Sequence, residues 1–139
     1  MVFPDEEDSL WEFDERTGEW YLHHFYKHQP DLNLAHPAVM DEILRTIGFW
    51  VELGIDGFRV DAVPFFHQNK ENTGTKTMAV DPHVVLRKIR GFLNRRKGDA
   101  VLLGEVNVPH EERRAYFGGD AGDQLHMMFD FVGMQATWL

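Results

Sequence analysis

The stretch IDGFRVDAV at residues 55–63 decides the fold. In an extended chain Phe58, Val60 and Ala62 fall on one side and Gly57, Arg59 and Asp61 on the other, because successive side chains of a strand point to opposite faces. Upstream, Met40, Ile43, Leu44, Ile47, Trp50 and Val51 recur at three- and four-residue steps, which predicts a helix with one apolar face. Pro37 suits its first position and Gly54 the left-handed residue past its end. Downstream, Asp81 and Pro82 read as the N-cap and first turn of a second amphipathic helix, with Val85, Leu86, Ile89, Phe92 and Leu93 inward and Gly98 closing it. The run AVLLGEV at residues 100–106 is nearly all apolar, the pattern of a strand buried on both faces.

A short helix over residues 109–117 follows, stopped by Gly118 and Gly119. Leu125, Met127, Phe129 and Phe131 then alternate with His126, Met128 and Asp130 as a third strand, and residues 132–139 read as the start of another helix. The polar, glycine-bearing stretch over residues 64–81 is a long loop of the kind that usually serves function. At the other end, Leu10–Phe13 and Trp20–Leu22 flank the turn chemistry of DERTG and predict a β-hairpin, joined by the connector HQPDLNLAHP at residues 28–37. Strands alternating with helices imply parallel pairing through right-handed crossovers. The predicted fold class is therefore α/β, a partial (β/α)8 barrel of about three parallel strands with flanking helices and an N-terminal hairpin. Residues 1–35 are the hairpin and connector and residues 36–139 the partial barrel. The alternative is a small three-stranded α/β domain.

Composition narrows the function classes. Fourteen Lys and Arg are scattered among 23 Asp and Glu, for a net charge of −9, which argues against nucleic acid as a partner. The absence of cysteine removes disulfides and thiolate metal sites and suits a reducing, cytoplasmic compartment. Neither a basic n-region nor a run of 18 apolar residues is present, so no signal peptide, membrane span or membrane partner is expected. Four Trp and eleven Phe are good core filler, yet numerous enough for some to line a sugar pocket.

Arg59 and Asp61 share the face that a parallel barrel turns inward. A cation beside a carboxylate keeps it ionised, as a nucleophile must be, although a plain buried salt bridge would show the same spacing. Glu105 repeats the situation one β-α unit later, at the C-terminal end of an apolar strand where apolar surroundings would raise its pKa toward that of a general acid. Catalytic groups of such barrels project from the C-terminal ends of strands, so Asp61 and Glu105 would converge on one cleft. Two carboxylates about 5 to 5.5 Å apart support glycoside chemistry with retention.

GFRVDAV (57–63) resembles the nucleophile-bearing segment of the α-amylase superfamily, GEVN (104–107) its acid/base segment, and QPDLN (29–33) the segment that marks its oligo-1,6-glucosidase-like branch. Within that branch Val63-Pro64-Phe65, the HHFYKHQPDLN approach and the GDQLHMMFDF strand look most like the trehalose synthase (maltose α-D-glucosyltransferase) subfamily. The resemblance implies that the three strands are the fourth to sixth of the barrel and that the hairpin ends the domain inserted after the third. It implies Asp61 as the nucleophile, Glu105 as acid then base, and Arg59 as partner of the nucleophile in the substrate subsite. The substrate would be maltose or a related α-linked glucose oligosaccharide, transglucosylated by double displacement or, alternatively, hydrolysed. The family's third carboxylate and its Asp and Asn-His segment after the third strand have no counterpart here, so the chain alone is expected to be inactive, or to be only a folding or assembly unit. Its open barrel edges then imply a homo-oligomer.

His23, His24 and His28 are close in sequence but lack the spacing of a zinc site. No metal ligand and no cofactor is assigned to this chain, and calcium is implied only for the full-length enzyme, by resemblance. The Arg87, Lys88, Arg90, Arg95, Arg96, Lys97 cluster reads as the wet face and C-terminal end of its helix.

Overall fold

The computed structural model describes residues 3–66 and 80–135, in two compact units, Met1–Asn33 and Leu34–Leu139. In the first unit, β1 (Trp11–Asp14) and β2 (Glu19–Leu22) pair antiparallel, with Trp11 opposite Leu22 and Phe13 opposite Trp20. Asp14 makes the turn: its carboxylate accepts the Arg16 amide at 3.0 Å and the Thr17 hydroxyl at 3.1 Å, while Gly18 supplies a positive φ of 71°. The ladder runs on through His23, whose amide donates to the Leu10 carbonyl. Buried His23 donates from Nδ1 to the Phe25 carbonyl at 2.9 Å, which leaves its Nε2 a buried acceptor without a hydrogen-bond partner among the described residues. Asp31 of the QPDLN stretch folds the connector back, its amide bonded to the Leu22 carbonyl and its carboxylate 2.5 Å from Nδ1 of His24.

The second unit alternates helix and strand: α1 (Pro37–Glu52), β3 (Gly57–Val60), α2 (Pro82–Arg96), β4 (Val101–Gly104), α3 (His110–Tyr116), β5 (Met127–Met128) and α4 (Phe131–Gln135). The sheet order is β3-β4-β5, all parallel, with Phe58 opposite Leu102 and Leu103 opposite Met127. Both long helices begin where proline placed them. The Asp81 carboxylate accepts the His83 amide at 2.8 Å, and the His36 ring accepts the Ala38 amide at 3.3 Å.

The core lies between the helices and one face of the sheet. Met40 of α1, Val85, Leu86, Ile89 and Leu93 of α2 and Leu102 of β4 are all buried, with Phe58 and Val60 of β3 packed against them. Gly48 lets the helices meet, since a Cβ there would lie 3.2 Å from the Phe92 ring. Leu86 is wholly buried. Leu86→Ala is expected to lower the unfolding free energy by about 2–5 kcal/mol, read as a fall in the urea midpoint at constant slope.

Three expectations need correction. The strands are shorter than their apolar runs: β3 stops at Val60 and is followed by a turn and a 3-10 helix (Val63–Phe66), and β5 keeps two residues of the alternation over 125–131. β4 is not buried on both faces, because Val101 is 40% exposed while Leu102 is fully covered. Of the cationic residues of α2 and its cap, Arg96 is exposed as expected, but two are not fully solvated: half-buried Arg90 donates to the Gln124 carbonyl, and half-buried Lys97 pairs with Asp56, which holds the ammonium pKa up. Residues 67–79 of the predicted loop and 136–139 of the last predicted helix lie outside the described residues.

His126 completes the sheet with a side chain. Its Nδ1 accepts the Leu102 amide at 3.0 Å and its own amide donates to the Leu102 carbonyl at 3.0 Å. Partial burial, then the Arg90 cation, lower its pKa below the ordinary 6.5. The folded state thus binds fewer protons than the unfolded one, so this contribution is complete above about pH 6.5 and is lost as the pH falls below it. Urea midpoints measured at about pH 7.5 and pH 5 should fall less between the two in His126→Asn than in the parent chain.

Candidate active site

The C-terminal ends of β3 and β4 are locked together by two backbone bonds. The Glu105 amide donates to the Val60 carbonyl at 2.9 Å, and the Val63 amide donates to the Glu105 carbonyl at 3.1 Å. Two residues, Asp61 and Ala62, thus stand between the groups bonded to Glu105 where a regular parallel ladder has one, and the surplus is taken up at Ala62, whose φ of 44° lies in the left-handed region. An alanine there carries about 1–2 kcal/mol of strain. The kink ends the strand and sets Asp61 on its rim.

Two glycines allow the close approach. A Cβ on Gly57 would lie 2.6 Å from the Val101 carbonyl oxygen, and one on Gly104 would lie 2.3 Å from Cδ1 of Leu125. Neither fits without a backbone or side-chain shift. Gly104 therefore fixes the depth at which Glu105 leaves β4.

Arg59 connects the two acids. Its Nη2 lies 2.7 Å from Oδ1 of Asp61 and also pairs with Oε2 of Glu105. The structure thus brings Arg59, Asp61 and Glu105 together at one end and on one face of the sheet. The expectation that they are buried is overturned: Arg59 and Asp61 are exposed, and Glu105 is half-buried. Glu105 is not an unpaired acid in apolar surroundings either, since the same guanidinium holds it. Sequence reasoning missed that pair because 46 residues separate its members. Exposed ion pairs contribute only about 0–1 kcal/mol, so fold stability does not explain the cluster.

A third acid stands at the end of β5 but is engaged in structure. Asp130 accepts backbone N–H groups of Gly133 and Val132, capping α4, and lies 3.0 Å from the Arg113 guanidinium. The Gly133 amide and then Arg113 hold its pKa below the carboxylate range. Among the described residues the histidines do not gather: His24 meets Asp31, His28 stacks on Tyr26, and His83 bonds Gln124. Among the described residues no three His, Asp or Glu side chains are placed to hold a metal ion. No helix among those residues is long and apolar enough to cross a membrane.

A parallel βαβα sheet with flanking helices, two acids and a guanidinium at its C-terminal rim, is a segment of a (β/α)8-barrel enzyme. The family model of the α-amylase catalytic domain matches residues 3–138, and the chain belongs to that family. It is 40% identical over its whole length to trehalose synthase/amylase TreS of Mycolicibacterium smegmatis, covering 23% of that protein. Over 91% of its length it is 53% identical to oligo-1,6-glucosidase of Parageobacillus thermoglucosidasius, covering 25%. Among solved structures, a trehalulose synthase MutB variant in complex with Tris superposes with a TM-score of 0.75 at 29% identity, over 88% of this chain and 24% of that one. The chain thus spans about a quarter of the length of these relatives.

Proposed function

We propose that this chain supplies the nucleophile and the acid/base of a retaining α-glucosidic enzyme that converts maltose to trehalose. The carrying observation is the Arg59 guanidinium shared between Asp61 and Glu105 at one strand rim. Asp61 attacks the anomeric carbon of the non-reducing glucose while Glu105 protonates the departing glycosidic oxygen, leaving a β-glucosyl ester and free glucose. Glu105, now a carboxylate, takes the proton from the anomeric hydroxyl of that glucose, whose oxygen attacks the anomeric carbon of the ester, displaces the Asp61 carboxylate and restores the α configuration in a 1,1 linkage. Water in the same place gives hydrolysis with the same two residues. Arg59 holds Asp61 in position through its ion pair. These residues need no cofactor for the two steps.

Product analysis on maltose, using a full-length barrel that carries this segment, tests the reading. Trehalose among the products is the expected result, glucose alone assigns hydrolysis, and no turnover overturns both. The 139-residue chain alone is expected to turn over no measurable maltose, because sugar contacts from the remainder of the barrel supply transition-state binding. Its open sheet face, with Val101 and Met127 exposed, favours association with a second copy, to be read as a dimer mass in sedimentation.

A further inference from the structure

We infer that the N-terminal hairpin carries a second sugar-binding surface, a pyranose platform centred on Trp20 that shares no residue with the Arg59, Asp61 and Glu105 cluster. The hairpin register sets Phe13 directly across from Trp20, with ring centroids 5.3 Å apart and planes tilted by 52°. Both rings stay open to solvent, Phe13 at 42% and Trp20 at 65% exposure. Large rings left exposed side by side mark a surface that binds something. They border a concave groove of about 600 Å³, within the range of small-molecule sites.

The rest of the groove wall indicates the occupant. Glu15, Glu19 and Lys27 stand exposed along it and offer two carboxylates and one ammonium. The neighbouring polar groups are already engaged and stiffen the wall: Asp14 holds the turn, and the Tyr21 hydroxyl donates to the Lys27 carbonyl at 2.7 Å. An acid-rich rim repels phosphates and acidic peptides, and a wholly apolar ligand would leave those carboxylates without hydrogen-bond donors. A neutral pyranose satisfies both kinds of surface, with its C–H face on the indole and its hydroxyls donating to Glu15 in the turn. The choice of an α-1,4-glucan as probe rests on the proposed activity.

The test is a titration of the ¹⁵N-labelled 139-residue chain with maltoheptaose, followed by NMR and repeated on three variants. Perturbation of the Trp20 indole N–H and of the turn amides is expected, unchanged in Asp61→Asn. Trp20→Thr, which keeps a strand-forming residue, should weaken binding about tenfold or more. Glu15→Ala lies in the turn and leaves the ladder intact, and it should weaken binding about threefold even where the Trp20 variant fails to fold. Equal affinity in a folded Trp20→Thr chain, or no loss in Glu15→Ala, overturns the inference. So do perturbations that persist in Trp20→Thr but vanish in Asp61→Asn, which place the sugar at the carboxylate pair instead.

Discussion

Asp61→Asn, introduced into a full-length barrel carrying this segment, is expected to lower turnover of maltose on the order of 10⁴-fold or more. The amide is nearly isosteric with the carboxylate, and its oxygen can still accept from Arg59, which lies 2.7 Å from Asp61 in the native chain. What it lacks is the negative charge that forms the ester bond. Because Asp61 is exposed and its ion pair is open, the substitution should leave thermal stability within about 1 kcal/mol of the parent. Chemistry and fold are then separable: steady-state rates fall while the melting curve stays in place. A variant that keeps a tenth or more of the parent rate would remove Asp61 from the nucleophile's role.

Glu105→Gln should act differently. An acid/base contributes about 10²–10⁴-fold, and its loss should reduce turnover of maltose by that amount. The departing sugar oxygen needs a proton, whereas a fluoride leaving group departs without one. With α-glucosyl fluoride the first step should therefore be slowed far less than with maltose, and the glucosyl ester should accumulate because its release still needs the missing base. Mass spectrometry of the quenched enzyme reads the adduct directly. Equal losses with both substrates would assign Glu105 to binding and not to proton transfer.

The helices were legible in the sequence because their signals are local. Pro37 and Pro82 mark helix starts through their own ring geometry, and the inward residues of α2 follow from a repeat contained within the helix. Strand ends are not local. Phe129 and Phe131 continue the alternation begun at Leu125, yet the β4 ladder offers partners only as far as Gly104, so β5 stops after Met128. Burial of β4 on both faces was inferred from its composition, which reports what a strand tolerates and not what covers it. At the candidate site, Asp61 and Arg59 stand two residues apart and were visible together, whereas the guanidinium's hold on Glu105 is a tertiary contact. The left-handed Ala62 carries no signal of its own, since neither glycine nor asparagine marks the place.

The central place of β4 in the sheet sets an order of local opening. Val101–Gly104 are paired on both sides, by four residues of β3 on one and two of β5 on the other, and Leu102 is further held by the ring of His126. In native-state hydrogen exchange the Glu105 amide, which donates to the Val60 carbonyl on the β3 side, should exchange later than the Leu102 amide, whose acceptor is the His126 ring on the β5 side. Met127 and Met128 have two ladder positions and one neighbouring strand. Their amides should exchange early, so the rim that carries Glu105 would be breathing from the β5 side while its junction with β3 stays closed.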